Sequence, residues 1–478
     1  METTQNINKI NEDVTDLSIA VTLSGGGHRA SIFGLGVLAY LYESRKNQSV
    51  TSISSVSGGS ITNAYLGKEC NFRNVTPDNL QKITSQLWYR LTSSGIVYAA
   101  SITKIYAVFL FSVILLLVSC FFMPFIADAF GTMINCVQTK NVHVIAVLVL
   151  FIPLIWLLSI RSKICRKAFA EILFSSPDNS ELPLNSITRE NVNHIICATE
   201  LHEGEHIYFS GNFVYSYQCG LGASDGVTLA EAVQASAAFP PLLPPIWINT
   251  VPFHFMESPI PKKLVLTDGG VYDNMGEQWI IGLTERKKKV PEIENFTFDA
   301  NIIILVNATA GIKYSPMSRF DQVPFFGEGT SFYRIVCALF DQTTTTRREM
   351  LFSKFKRDLI EGNGVTGIMV MLTQTPFTII DWIMTTTEPE LEKQRKRAIT
   401  ILEKLPENYR KEWDNIKEIS LKTKTTFRII NKPTAENLIY HAFILTMINA
   451  HIILGFPIDY DLLDRIEFRK KIMDKYFK

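Results

Sequence analysis

From Ile105 to Ala127 the chain reads IYAVFLFSVILLLVSCFFMPFIA, 23 positions without a charge, and from Val142 to Ile160 a second stretch is uncharged for 19. As helices these would be ~34 Å and ~28 Å long, enough to cross the hydrocarbon core of a bilayer. Two buried core helices are the plainer alternative, but core helices of this length normally keep a polar face. The flanks favour the membrane. Lys82, Arg90 and Lys104 precede the first stretch, and Arg161, Lys163, Arg166 and Lys167 follow the second. The connection from Asp128 to Asn141 carries only one basic residue, Lys140. Because basic residues gather on the cytoplasmic side, the pattern predicts a transmembrane helical hairpin within residues 101–167, its spans covering about 105–127 and 142–160. Both outer flanks, and with them both termini, are expected in the cytoplasm.

A hairpin returns the chain to its starting side. After a polar segment at 1–16, residues 17–100 and 168–478 can then fold together as one cytoplasmic domain. A net charge of +1 with 19% charged residues gives no surface for nucleic acid. The seven cysteines are odd in number and lack C-x-x-C pairs, which argues for a reducing compartment and against a disulfide framework or zinc ribbon. The first residues, METTQNINKI, have neither a secretory pattern nor the glycine that myristoylation needs, and the last, DKYFK, form no prenylation box.

Outside the hairpin, apolar strand-like runs alternate with helical ones. SIAVTL (18–23) and VTSISSV (50–56) each end in a glycine turn that opens a helix-like segment. HIICATEL and HIYFSG read as two strands joined by a turn at Glu203–Gly204, TLAEAVQASAAF as a helix stopped by PPLLPP, and KLVLT (263–267) and NIIILVN (301–307) as further buried strands. The alternation predicts an α/β domain around a mostly parallel sheet. Past residue 311 the pattern is less legible. PELEKQRKRAITILEKL is expected as a solvated helix, and LIYHAFILTMINAHIIL, broken by His441, Asn449 and His451, as a packed helix in preference to a third span.

Three stretches carry chemistry. Ser55-Val56-Ser57-Gly58-Gly59 resembles the nucleophile elbow G-x-S-x-G, in which a serine on a sharp strand-to-helix turn exposes its hydroxyl. Ser55 stands where the pattern prefers glycine. Gly25, Gly26 and Gly27 end an earlier strand, where successive amide N–H groups can converge on one developing oxyanion. A dinucleotide fingerprint fails there, because Ala30 replaces the last glycine, and so does a Walker A loop, for want of Gly-Lys-Ser/Thr. Arg29 opens the next helix, where it can hold the loop or attract a phosphate; a surface arginine is the plainer reading. None of the eight histidines sits in a triad context, but in LTDGGVYDN Asp268 ends a strand and is followed by Gly269 and Gly270. A carboxylate there lies on the edge where α/β sheets gather their sites. HEGEH (202–206) matches the zinc motif H-E-x-x-H only in letters, since Gly204 and β-rich flanks put its histidines on a turn and not on one helix face.

SGGGHR, then S-x-S-G-G, then DGG, each after a strand and in that order, resemble the patatin-like phospholipases. ASAAFPPLLPP (235–245) and the CATELHEGEHIYFSG hairpin are similar to that family as well, over roughly 17–100 and 168–310. The resemblance implies a three-layer α/β fold with a mostly parallel sheet and a lipid acyl hydrolase with a Ser–Asp dyad, here Ser57 and Asp268. Gly25, Gly26, Gly27 and Gly58 would form the oxyanion hole, supported by Arg29, Gly59, Gly269 and Gly270. No metal or cofactor is required. The implied substrate is a membrane phospholipid or lysophospholipid, cleaved through an acyl-enzyme. A transacylase or acylglycerol lipase with the same dyad, and an inactive membrane scaffold of the same fold, are the alternatives. Ser57 and Asp268 stand 211 positions apart, and removing the 67-residue hairpin leaves 144, so the hairpin reads as an insertion into an intact domain.

Overall fold

The computed structural model describes residues 17–129, 139–202, 204–240, 243–311, 319, 323, 326–362, 364–405 and 408–478. The polar segment 1–16 and most of the expected hairpin connection lie outside them. Ten strands form one sheet: β1 (Ile19–Leu23), β2 (Val50–Val56), β3 (Asn193–Glu200), β4 (Glu205–Ser210), β5 (Val214–Ser216), β6 (Gly220–Gly222), β7 (Ile246–Asn249), β8 (Lys263–Asp268), β9 (Ile302–Asn307) and β10 (Thr366–Met371). Their order is β10-β9-β1-β2-β3-β4-β5-β6, with β8 also on β3 and β7 on β8. The central strands β1, β2, β3 and β9 are buried along their whole length, β1 and β9 as largely apolar runs and β2 and β3 with buried serines, Thr51, His194 and Glu200 among their apolar residues.

The sheet is mixed, not mostly parallel as expected. β10, β9, β1, β2 and β3 pair in parallel, whereas β4, β5, β6, β7 and β8 all join antiparallel. Connection length explains the change. Parallel neighbours need a crossover, and from β3 to β6 successive strands are joined by only a few residues, which permit hairpins alone.

The helices that frame the site and form the hairpin are α1 (Gly27–Glu43), α2 (Gly58–Glu69), α3 (Ser101–Ala129), α4 (Thr139–Ser159), α5 (Arg161–Ile172), α6 (Leu229–Ser236), α7 (Phe326–Glu361), α8 (Tyr409–Lys422) and α9 (Lys432–Leu454). α3 and α4 pack on each other, and the Tyr106 hydroxyl donates to the Leu157 carbonyl at 3.1 Å. Among the described residues two helices are long and apolar enough to cross a membrane, 101–122 and 432–454. The second arm of the expected hairpin qualifies only together with α5, across a 45° bend. The 432–454 helix is packed as expected, with 89% of its apolar window buried in the protein.

Helix direction fixes where the hairpin leaves the fold. α5 ends beside α2's C-terminus, where Lys68 Nζ donates to the Leu173 carbonyl at 2.6 Å. Its middle is tied to α6 by Arg166–Glu231 at 3.1 Å, and its start by a bond from the Ser162 hydroxyl to the Pro244 carbonyl. α2 begins at the Ser57 turn and α6 ends at Ser236 beside it, so the α4–α5 junction lies toward the Ser57 edge of the sheet. α3 starts at the last turn of α5, where the Ser101 N–H donates to Glu171 Oε1 at 2.8 Å.

Candidate active site

β2 and β8 reach the same edge of β3 from opposite directions. Residues 193–197 of β3 pair with β2 and residues 198–200 with β8, while β4 occupies the other edge. Val56 therefore ends opposite Cys197, and Asp268 pairs with the next residue, Ala198. The two strands meet head to head. Ser57, one residue past the end of β2, is brought beside Asp268, and its side chain helps to hold down the pKa of the carboxyl.

The elbow is strained and braced. Ser57 holds φ 50°, ψ −115°, a conformation L-residues avoid. Its N–H donates to Ser236 Oγ at 2.8 Å, and that hydroxyl donates to the Cys197 carbonyl at 2.6 Å. Gly58 is obligatory: a Cβ there would stand 2.0 Å from the Gly27 carbonyl oxygen, so the two glycine turns touch backbone to backbone. Ser55, in place of glycine, is accommodated inside β2. Its hydroxyl donates to the Ile195 carbonyl at 2.9 Å and accepts from Asn63 Nδ2 at 2.8 Å.

Asp268 is held from several sides. Its N–H donates to the Ala238 carbonyl at 3.2 Å, the Gly270 N–H donates to its Oδ1 at 2.8 Å, and the Thr199 hydroxyl donates to its main-chain carbonyl at 2.9 Å. Burial pushes its carboxyl up to about 7, against the lowering pull of the Gly270 amide and the Ser57 hydroxyl. Asp268 is 4% and Ser57 7% exposed. The Gly269 carbonyl accepts from His206 Nε2 at 2.9 Å. That bond fixes the histidine as the Nε2–H tautomer, and burial holds its pKa down at about 4. The HEGEH histidines thus diverge. His206 points inward to the DGG turn, while His202 lies half-exposed with Nδ1 2.6 Å from Glu200 Oε1; Glu203 lies outside the described residues. No group of three or more His, Cys, Asp or Glu suited to a metal ion forms among the described residues.

The glycine loop brings one correction. The Gly25 N–H already donates to the Asn274 carbonyl at 3.0 Å, which removes it from the expected oxyanion donors. Gly26 and Gly27 take φ of 139° and 59°, and Gly27 and Gly58 each open a helix, where the first amides have no intrahelical acceptor. These three amides are the donors that remain. Gly59 spends its own amide on the Ser24 carbonyl at 3.2 Å. Arg29 is buried, not a surface arginine. Its Nη1 donates to the Thr423 carbonyl at 2.7 Å, and burial without a carboxylate partner lowers its pKa to about 10.

Sequence reasoning missed the connection between α8 and α9, which clamps this loop. The His28 N–H donates to the Thr426 carbonyl at 3.0 Å, and His28 Nδ1 lies 2.9 Å from the Arg428 carbonyl. Ser236, Thr199 and Asn274 were missed too. Only Ser236 had a sequence signal, as the one hydroxyl in the alanine-rich ASAAF.

A family model described as patatin-like phospholipase matches residues 21–278. No curated protein matches the chain. Among solved structures, VipD from Legionella pneumophila is 13% identical with a TM-score of 0.28, covering 97% of this chain and 92% of its own, a superposition too loose to add to the family match.

Proposed function

The chain belongs to the patatin-like phospholipase family, a family of lipid acyl hydrolases, and from that membership we propose that it cleaves fatty-acyl esters of phospholipids or lysophospholipids with Ser57 and Asp268 as a dyad. The observation that carries the reading is the head-to-head meeting of β2 and β8, which brings the Ser57 turn beside a buried Asp268. Asp268 takes the hydroxyl proton as Ser57 Oγ attacks the ester carbonyl. The N–H groups of Gly26, Gly27 and Gly58 receive the oxyanion. Asp268 returns the proton to the departing alcohol or lysolipid, then deprotonates the water that releases the fatty acid. A carboxyl near 7 suits both tasks, since a base poised at the working pH gives and takes a proton with little penalty.

The hairpin at 101–167 acts as a membrane anchor inserted between the two parts of the catalytic domain, 17–100 and 168–478. Two features support it: the 101–122 helix has no buried residue, and the junction of α4 with α5 is bonded through Ser162 to Pro244, on the stretch that follows the Asp268-bound Ala238. An anchored site then faces the bilayer that holds its substrate.

Full-length protein in detergent–phospholipid mixed micelles tests the dyad. Ser57→Ala should abolish fluorophosphonate labelling, and Asp268→Asn should lower hydrolysis by roughly 10²–10⁴-fold. Because Asp268 must be ionised to act, the wild-type rate should rise with pH through a midpoint near 7. The same raised pKa carries a sign for stability. An ionised Asp268 weakens the fold as pH climbs from its unfolded value toward 7, so Asp268→Asn should raise the thermal midpoint more at pH 8 than at pH 5. Full activity in both variants would overturn the assignment.

A further inference from the structure

α7 is anchored by its lower half. Arg347 pairs with Glu277 at 3.4 Å and lies over the Tyr272 ring, and Leu351 and Phe355 are buried. Phe340 packs close to the site. Its ring meets Phe239 at 5.9 Å and packs against Gly270, two residues past Asp268. Beyond it the helix continues outward for 14 residues, about 21 Å at helical rise.

One outward stripe runs along this helix from Phe332 to Glu349 at three- and four-residue steps: Phe332, Ile335, Leu339, Gln342, Thr346, Glu349, all exposed. Above Phe340 the stripe is apolar, with Phe332, Ile335 and Leu339 at 70%, 55% and 58% exposure; below Phe340 it is polar. The helix face changes character at the level of the site mouth, as it would on passing from water into another medium. Past Glu349 exposed apolar side chains return only as Met350 and Phe352, the latter with its ring edge against Trp382.

The hairpin starts at the same level. Phe239, which touches Phe340, begins the short segment whose Pro244 carbonyl accepts from Ser162 at the base of the hairpin. The segment follows Ala238, whose carbonyl binds the Asp268 N–H. Phe340 of α7 and Ser162 at the base of the hairpin thus contact residues on the same stretch of chain that follows Ala238 beside Asp268.

We infer that the 332–339 stripe of α7 is a second bilayer contact, seated in the boundary between headgroups and acyl chains opposite the hairpin, so that a lipid enters the Ser57–Asp268 site between them. The inference rests on the hairpin being a membrane anchor. The stripe covers about 10 Å of helix and is bounded by Glu328 on one side and Gln342 on the other, which fits an interfacial segment and not a span. A lipid surface is favoured over a second copy of the chain because the apolar stripe is continuous in level with the uncharged hairpin.

Photo-crosslinking tests it without relying on catalysis. Benzoylphenylalanine is placed at Ile114 in α3, at Ile335 or Leu339, or at Gln342 or Thr346, in full-length Ser57→Ala protein reconstituted in phosphatidylcholine vesicles. The expected result is lipid adducts at 114, 335 and 339, and at least tenfold less at 342 and 346. Adducts at 114 but not at 335 and 339, or protein dimers at 335 and 339, overturn the inference and leave the anchor standing. No lipid adduct at 114 overturns the anchor and the inference with it. In the active protein, Ile335→Gln with Leu339→Gln should slow hydrolysis of vesicle phosphatidylcholine by about tenfold and leave a water-soluble short-chain ester unaffected. Equal loss on both substrates would mean the stripe only supports the fold.

Discussion

α3 and α9 are both apolar enough and long enough to cross a bilayer, yet they live in opposite surroundings. Nothing in the 101–122 stretch is buried, whereas α9 is wrapped by α1, α8 and β10. Their polar side chains account for the difference. In α9, Asn437 donates to the Ile416 carbonyl at 3.0 Å, His441 Nε2 to the Gln374 carbonyl at 2.8 Å, and Asn449 to the Met369 carbonyl on β10 at 2.7 Å. Each needs an acceptor outside its own helix. Ser112 of α3 satisfies its hydroxyl on the Val108 carbonyl one turn back, at 2.8 Å. A helix pair whose polar groups close within the pair, as Ser112 does inside α3 and Tyr106 does on the Leu157 carbonyl of α4, can face hydrocarbon, and a helix whose polar groups reach into the domain must be packed in protein. Apolar length alone does not separate the two.

The sharpest break in this comparison is steric. A Cβ on Gly36 of α1 would stand 2.7 Å from the Ile439 carbonyl oxygen and 2.8 Å from the Ala442 methyl of α9. Backbone cannot move aside cheaply, so Gly36→Leu should cost about 3 kcal/mol or more. Thermal unfolding followed by circular dichroism should show the cooperative transition weakened or lost. Ser112→Leu on α3, a change of similar size, should leave that transition in place. An unaltered midpoint for Gly36→Leu would mean that α9 is not docked as described.

A smaller effect is expected from the polar contacts. His441→Leu leaves the Gln374 carbonyl without its donor and removes the ring edges set against Phe33 and Trp413. The cost should be about 2 kcal/mol, read as a lowered unfolding midpoint. The loss should reach the site as well. α8 and α9 hold the connection whose Thr426 and Thr423 carbonyls fix the His28 amide and Arg29, so hydrolysis of a soluble short-chain ester should fall in parallel. A drop in stability with unchanged turnover would separate the packed helix from the glycine loop.

Legibility in the sequence divides along the same line, between local and distant cause. Ser57, Asp268 and the glycine loop could be read because each sits at the end of a strand beside small residues, a local pattern. The strands around them were found to within a residue or two. What could not be read depends on partners far along the chain. That Gly25 spends its amide on Asn274, and that Ser236 braces the elbow, are facts of tertiary approach with no periodicity. The mixed sheet was misjudged because alternating strands and helices suggested crossovers, while short connections dictated hairpins. α7 escaped notice for a reason of propensity. Its Gly327, Gly329 and the four threonines at 343–346 are poor helix formers, and packing through Arg347, Leu351 and Phe355 overrides them.

The gentlest test leaves the fold alone and alters only the medium around it. Leu115 lies 54% exposed in the middle of α3. If that exposure is to lipid, Leu115→Gln should shift domain stability by less than about 0.5 kcal/mol, since no protein contact is lost. Its cost should appear in membrane partition, at less than the ~2.5–3.5 kcal/mol of a charge at a helix centre. Carbonate washing of membranes should then release somewhat more of the variant than of the wild type, while the unfolding midpoint in detergent stays where it was. A midpoint lowered as far as by His441→Leu would instead mark α3 as a second packed helix. The distinction drawn from its self-satisfied serine would then fail.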